Sequence, residues 1–185
     1  MIKGEEDKKM ITLVTGGSGS GKSAYAEDVL TGFGDFPRIY IATMYPFDEE
    51  SKKRIVRHRN MRVKKNFTTI ECYTGLRKLK IPEGCCVLLE CMSNLVANEM
   101  FQEDGAKEDT VCEILEGILE LEKQAKELVI VTNEIFSDGI EYDAETKRYQ
   151  NYLGTINREL AKRAKMVTEV VYGIPVLIKN QGEMV

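Results

Sequence analysis

Apolar residues along this chain fall in short runs separated by longer amphipathic stretches. Residues 11–15, 38–43, 68–72, 87–90, 128–132, 169–172 and 176–179 read as strands. Several of these are near-continuous Val, Ile and Leu, the pattern of strands covered on both faces. Between them, helices are predicted over 22–30, 49–61, 94–101, 109–126 and 147–165. In the helix from Asp109, the residues Ile114, Leu115, Ile118 and Leu121 recur at core spacing while Glu and Lys fill the other face. Strand–helix alternation predicts an α/β fold, a mostly parallel sheet flanked by helices. Gly173-Ile174-Pro175 reads as the turn of a C-terminal hairpin.

No Pro/Gly/Ser-rich linker divides the chain and no repeat is visible. The expectation is one domain over 11–185, preceded by a flexible charged leader over 1–10. That leader has no apolar h-region and does not read as a secretory signal. No apolar run approaches the ~20 residues of a membrane span. The net charge of −4 argues against nucleic acid as the main partner, since phosphate neutralisation calls for a basic protein. Five cysteines, an odd number with no C-x-x-C spacing and a single histidine beside them, read as buried thiols rather than a zinc site. A cytoplasmic location is expected.

The first candidate chemistry lies between the first strand and the first helix. Gly16-Gly17-Ser18-Gly19-Ser20-Gly21-Lys22-Ser23 has the form G-x-x-x-x-G-K-S, and a strand before and a helix after are the context that this motif requires. Glycines allow turns that a Cβ would block, so backbone N–H groups can converge on a phosphate at the helix N-terminus. Lys22 supplies a charge to the β/γ oxygens, and the Ser23 hydroxyl is a candidate Mg2+ ligand. The run Val87-Leu88-Leu89-Glu90 ends in a carboxylate, so Glu90 is the second candidate ligand for Mg2+. A purine nucleoside triphosphate, GTP or ATP, is the implied ligand. The motif leaves the reaction open.

The second candidate is the basic helix DEESKKRIVRHRNMR, from Asp48 to Arg62. Arg54, His58 and Arg62 are spaced by four and share a face, and Arg57 and Arg59 flank the only histidine. Arginines one turn apart suit phosphates, and their charge disfavours imidazolium. A neutral His58 is then a candidate nucleophile toward an α-phosphorus. On spacing alone, a solvated basic face with an idle histidine is the favoured reading.

Taken in order, these segments resemble the bifunctional adenosylcobinamide kinase / adenosylcobinamide-phosphate guanylyltransferase family of cobalamin biosynthesis. The resemblance is carried by the loop 15–23, Tyr40-Ile41-Ala42-Thr43, Arg54-Ile55 with His58-Arg59 and Arg62, Glu71, Leu88-Leu89-Glu90-Cys91, Val131-Thr132-Asn133-Glu134 and Gly173-Ile174-Pro175. It implies a RecA-like P-loop sheet, phosphorylation of adenosylcobinamide by ATP or GTP, and transfer of GMP from GTP through a guanylylated His58. It implies nucleotide contacts from Ala42, Thr43, Met44, Arg59, Asn60, Met61, Arg62, Glu71 and Glu90, a corrinoid partner, and assembly as a homotrimer. Tyr149, Tyr152 and Arg148 are only loose candidates for the corrinoid. A single-activity small-molecule kinase and a nucleotide-sensing interaction protein are the alternatives. One cradle serves both reactions only if the nucleotide or the His58 helix shifts, and Tyr45-Pro46-Phe47 is a candidate hinge.

Overall fold

The computed structural model describes residues 10–62, 65–137, 139–180 and 183–184. The elements in chain order are β1 (Met10–Thr15), α1 (Lys22–Gly32), β2 (Arg38–Ala42), α2 (Glu49–Arg62), β3 (Phe67–Glu71), β4 (Cys86–Glu90), α3 (Met92–Phe101), α4 (Thr110–Gln124), β5 (Glu127–Val131), α5 (Ala144–Arg163), β6 (Met166–Val171), β7 (Ile174–Asn180) and β8 (Glu183–Met184). The expected leader lies outside the described residues except for Met10, which opens β1.

All eight strands form one sheet, in the order β3-β2-β4-β5-β1-β6-β7-β8. From β3 to β6 every pairing is parallel, and β7 and β8 are added antiparallel. Side chains alternate across the strands and build two cores. On one face Ile11, Leu13, Val87, Leu89 and Ile130 meet Ile114, Ile118 and Leu121 of α4 and Leu153, Ile156 and Leu160 of α5. On the other, Val14, Leu88, Val129 and Val131 meet Ala26 and Leu30 of α1. Every residue of β4 is buried, which is why this strand shows no alternation in sequence.

The differences from expectation lie at element ends. Helix α5 starts at Ala144, before the predicted 147, because the Asp143 carboxylate caps the N–H groups of Glu145 and Thr146. β6 starts at Met166 rather than 169. The hairpin turn is Tyr172-Gly173, both with positive φ (52° and 79°), the pattern of a two-residue hairpin loop. Ile174 and Pro175 therefore belong to β7, where Pro175 sits opposite Val170.

Candidate active site

The turn between β1 and α1 is built around missing side chains. A Cβ on Gly16 would stand 2.5 Å from the Val170 carbonyl oxygen and 2.7 Å from Ser20 Oγ. Gly21, at φ 92°, occupies the N-cap of α1 in a left-handed conformation. The Gly173 N–H donates to the Ser20 carbonyl (2.8 Å), which ties the turn to the β6–β7 hairpin. Helix α1 has no side-chain cap, so its first N–H groups are left for an anion. The Ser20 hydroxyl is buried and has no hydrogen-bond partner among the described residues. Lys22 is 8% exposed and its Nζ donates to the Gly17 carbonyl at 3.0 Å. Burial pushes the Lys22 pKa down, against the opposing pull of Cys91 and Glu90. A phosphate would replace the hydration that this ammonium has lost.

Glu90 reaches the turn from β4, across the intervening β5. The Ser23 hydroxyl donates to Glu90 Oε1 at the cavity floor. A hydroxyl and a carboxylate in contact are an oxygen pair of the type Mg2+ takes alongside nucleotide phosphates.

The cavity above them has a volume of about 430 Å³. One wall is the turn, from Ser18 to Ser23. The facing wall is α2, through Ile55, Arg59 and Arg62. Arg62 is 4% exposed, and its guanidinium carbon lies 3.4 Å from the centroid of the Tyr40 ring. Its Nε and Nη1 have no acceptor among the described residues. A buried guanidinium left short of acceptors is costly, and an anion in this cavity would relieve it. Burial raises the Tyr40 phenol pKa strongly, and the Glu90 carboxylate beside it raises it further. At the cavity edge Arg59 pairs with Glu71. The Tyr73 hydroxyl donates to Glu71 Oε2 at 2.8 Å, and its pKa is pushed up to about 12, by burial first and then by that carboxylate.

Of the residues singled out from sequence, Ser18, Gly19, Ser20, Gly21, Lys22, Ser23, Ala42, Met44, Arg59, Arg62, Glu71 and Glu90 line this one cavity. Gly16 and Gly17 do not line it. Thr43 does not line it. It is fully buried, and its hydroxyl clamps the ends of β2 and β4 together through the Cys91 carbonyl (2.8 Å) and N–H (2.7 Å). Asn60 is exposed and also outside the lining. The side chains of Arg54, Arg57, His58 and Met61 lie outside the described residues. As a position on α2, His58 follows Ile55 by three residues and precedes Arg62 by four.

The sequence reading missed Tyr40, Tyr73, Asn94 and Asn133, all in the lining. Asn133 had a signal, a polar residue just past the end of β5, next to the glycine-rich turn. The loose candidates on α5 lie elsewhere. Tyr149 and Tyr152 pack against the core, the Tyr149 hydroxyl donates to the Ser93 carbonyl (3.2 Å), and Arg148 faces Glu145 on the surface at 4.0 Å. Four of the five cysteines are buried and free, and Cys112 is exposed.

A phosphate-shaped turn between a parallel strand and a helix, with a strand-end carboxylate two strands away, defines a P-loop nucleotide-binding α/β protein. Within that class the chain belongs to the cobinamide kinase / cobinamide phosphate guanyltransferase family, whose model matches residues 12–178. It is 33% identical to the bifunctional adenosylcobalamin biosynthesis protein CobU of Escherichia coli K12, over 92% of this chain and all of that protein. It is 32% identical to CobU of Salmonella typhimurium over the same shares, and 28% identical to CobP of Pseudomonas aeruginosa over 93% of this chain and 99% of the relative. No helix among the described residues is long and apolar enough to cross a membrane.

Proposed function

We propose that this chain phosphorylates the aminopropanol hydroxyl of adenosylcobinamide with ATP or GTP, then transfers GMP from GTP to the resulting phosphate, giving adenosylcobinamide-GDP. One observation carries the proposal: the triphosphate cradle and the arginines of α2 face each other across a single cavity. Charges that suit the β/γ end of a nucleotide and charges that suit a second phosphate thereby line the same cavity.

In the kinase step the acceptor oxygen attacks the γ-phosphorus, the bond to the β-phosphate oxygen breaks, and the nucleoside diphosphate leaves. Lys22 and the α1 N-terminus hold the transferred charge. In the second reaction a nitrogen of His58 attacks the α-phosphorus of GTP, the bond to the bridging oxygen breaks, and pyrophosphate leaves. A phosphate oxygen of the acceptor then attacks the same phosphorus, the P–N bond breaks, and His58 is restored. The position of His58 between Ile55 and Arg62 on α2 supports this role, as do its arginine neighbours, which favour neutral imidazole. Arg59 and Arg62 take the charge that develops at the α-phosphate.

Ser23 and Glu90 are the proposed Mg2+ ligands, and the ion supplies charge neutralisation to the phosphates when bound. The two reactions present different phosphorus atoms, so the nucleotide shifts in the cradle or α2 moves over it. A cytoplasmic setting and a homotrimer belong to the same proposal. Buried free thiols support the first, and the second is supported by the exposed apolar side chains of Ile174, Val176, Leu177 and Ile178 on β7.

Incubation with adenosylcobinamide, GTP and Mg2+, followed by mass spectrometry, tests the reading. Ordered appearance of the phosphate and then the GDP derivative is expected. Nucleotide hydrolysis with the corrinoid unchanged would overturn it.

A further inference from the structure

Just outside the cavity lies a group of aromatic rings that the nucleotide chemistry does not use. The Tyr45 and Phe47 ring centroids are 4.8 Å apart, and those of Tyr45 and Tyr73 are 5.1 Å apart. Phe47 is 71% exposed and Tyr45 38%. Exposed aromatic side chains gathered this way mark a binding surface rather than a core. Only Tyr73 belongs to the cavity lining, so it joins the group to the cavity mouth.

Resting on the function proposed above, we infer that Tyr45, Phe47 and Tyr73 form the platform on which the corrin macrocycle of the acceptor docks, while its hydroxyl- or phosphate-bearing arm enters the cavity. Size supports this choice of occupant. A cavity of about 430 Å³ has the volume of a single small-ligand site, and a corrin ring with its amide side chains cannot share it with a nucleotide. The ring must therefore stay at the mouth, where the aromatic rings, inclined at 49° and 71° to one another, offer it a concave apolar support of faces and edges. The macrocycle is an extended face around a cationic cobalt, and aromatic faces attract both apolar surface and positive charge. The outer pair, Tyr45 and Phe47, lies beyond the lining and is left for the larger partner.

The test separates the two substrates. Equilibrium dialysis of the full chain against cobinamide phosphate, read by the corrin's own visible absorbance, measures docking without turnover. Dialysis against GTP radioactive at the α-phosphate, without corrinoid, measures nucleotide binding alone. In the Tyr45→Ala/Phe47→Ala double variant, corrinoid affinity falls by about tenfold or more and GTP affinity stays within about twofold. Phe47→Tyr, which keeps the ring, retains the affinity. Unchanged corrinoid affinity in the double variant overturns the inference. So does an equal loss in both readouts, which would make the rim a base site, and so does a wild-type chain that binds no cobinamide phosphate. A wild type that binds corrinoid but makes no product defeats the proposed function while leaving the dialysis test of the platform standing.

Discussion

Arg62 shows what residue spacing conveys and what it omits. The pattern of basic residues on α2 fixed which positions share a helical face, but a helical face in sequence carries no label for solvent or cavity. The structure buries Arg62 against Tyr40, a residue 22 positions earlier on another element. That pairing depends on packing between α2 and β2 and has no local signal. Removing the guanidinium should therefore harm GMP uptake more than removing any exposed charge. Arg62→Ala is expected to lower kcat/KM for labelling by α-labelled GTP by about 10–100-fold, the worth of one or two charge-assisted hydrogen bonds. Arg62→Lys should recover little, because an ammonium does not reproduce the planar stack on Tyr40. Tyr40→Phe keeps the ring under Arg62 and loses only the hydroxyl near Glu90, so a smaller loss is expected. A Tyr40→Phe loss equal to that of Arg62→Ala would argue against the stacking role.

At the scale of elements, the sequence was most legible where burial is two-sided. The strands β1, β2, β4 and β5 are apolar runs because helices cover both of their faces, and their predicted ends lie within a residue or so of the observed ones. β7 was harder, since most of its side chains are exposed. Its start reads as turn in sequence because Gly173 and Pro175 flank Ile174, although the left-handed conformation belongs to Tyr172 and Gly173. The glycine-rich turn was fully legible, being a contiguous motif. Glu99 was not. This buried carboxylate of α3 accepts from the N–H groups of Gly75 (2.7 Å) and Ala106 (2.9 Å), two loops far apart in sequence. Glu99→Ala strands both donors, and a stability loss of about 3 kcal/mol in urea unfolding is expected, with Glu99→Gln less damaging. For the turn itself, Gly16→Ala drives a Cβ into the Val170 carbonyl. A loss of about 1–3 kcal/mol or more is expected from that overpacking, read as a lowered unfolding midpoint.

At the scale of the whole molecule, the sheet gathers residues from the ends of β1, β2, β3, β4 and β5 at one edge, where α2 closes over them. Ligands of open α/β sheets bind at this carboxyl edge. The β6–β7 hairpin beside the glycine-rich turn has a different character. Val171, Tyr172, Ile174, Val176, Leu177 and Ile178 are all exposed along the β6–β7 hairpin, apolar side chains of the kind that a protein–protein contact covers. Sedimentation should give a mass of three chains. Leu177→Glu should reduce it toward that of one chain, and a wild type that sediments as a monomer would remove the trimer from the proposal.

The proposed function makes His58 the carrier of GMP, and covalent labelling tests this most directly. The wild-type chain, incubated with GTP radioactive at the α-phosphate, should acquire about one acid-labile label per active site, discharged on adding cobinamide phosphate. His58→Ala should acquire none while still binding GTP. Retention of the label in that variant, or a wild type that never acquires it, would contradict the guanylyl-histidine mechanism.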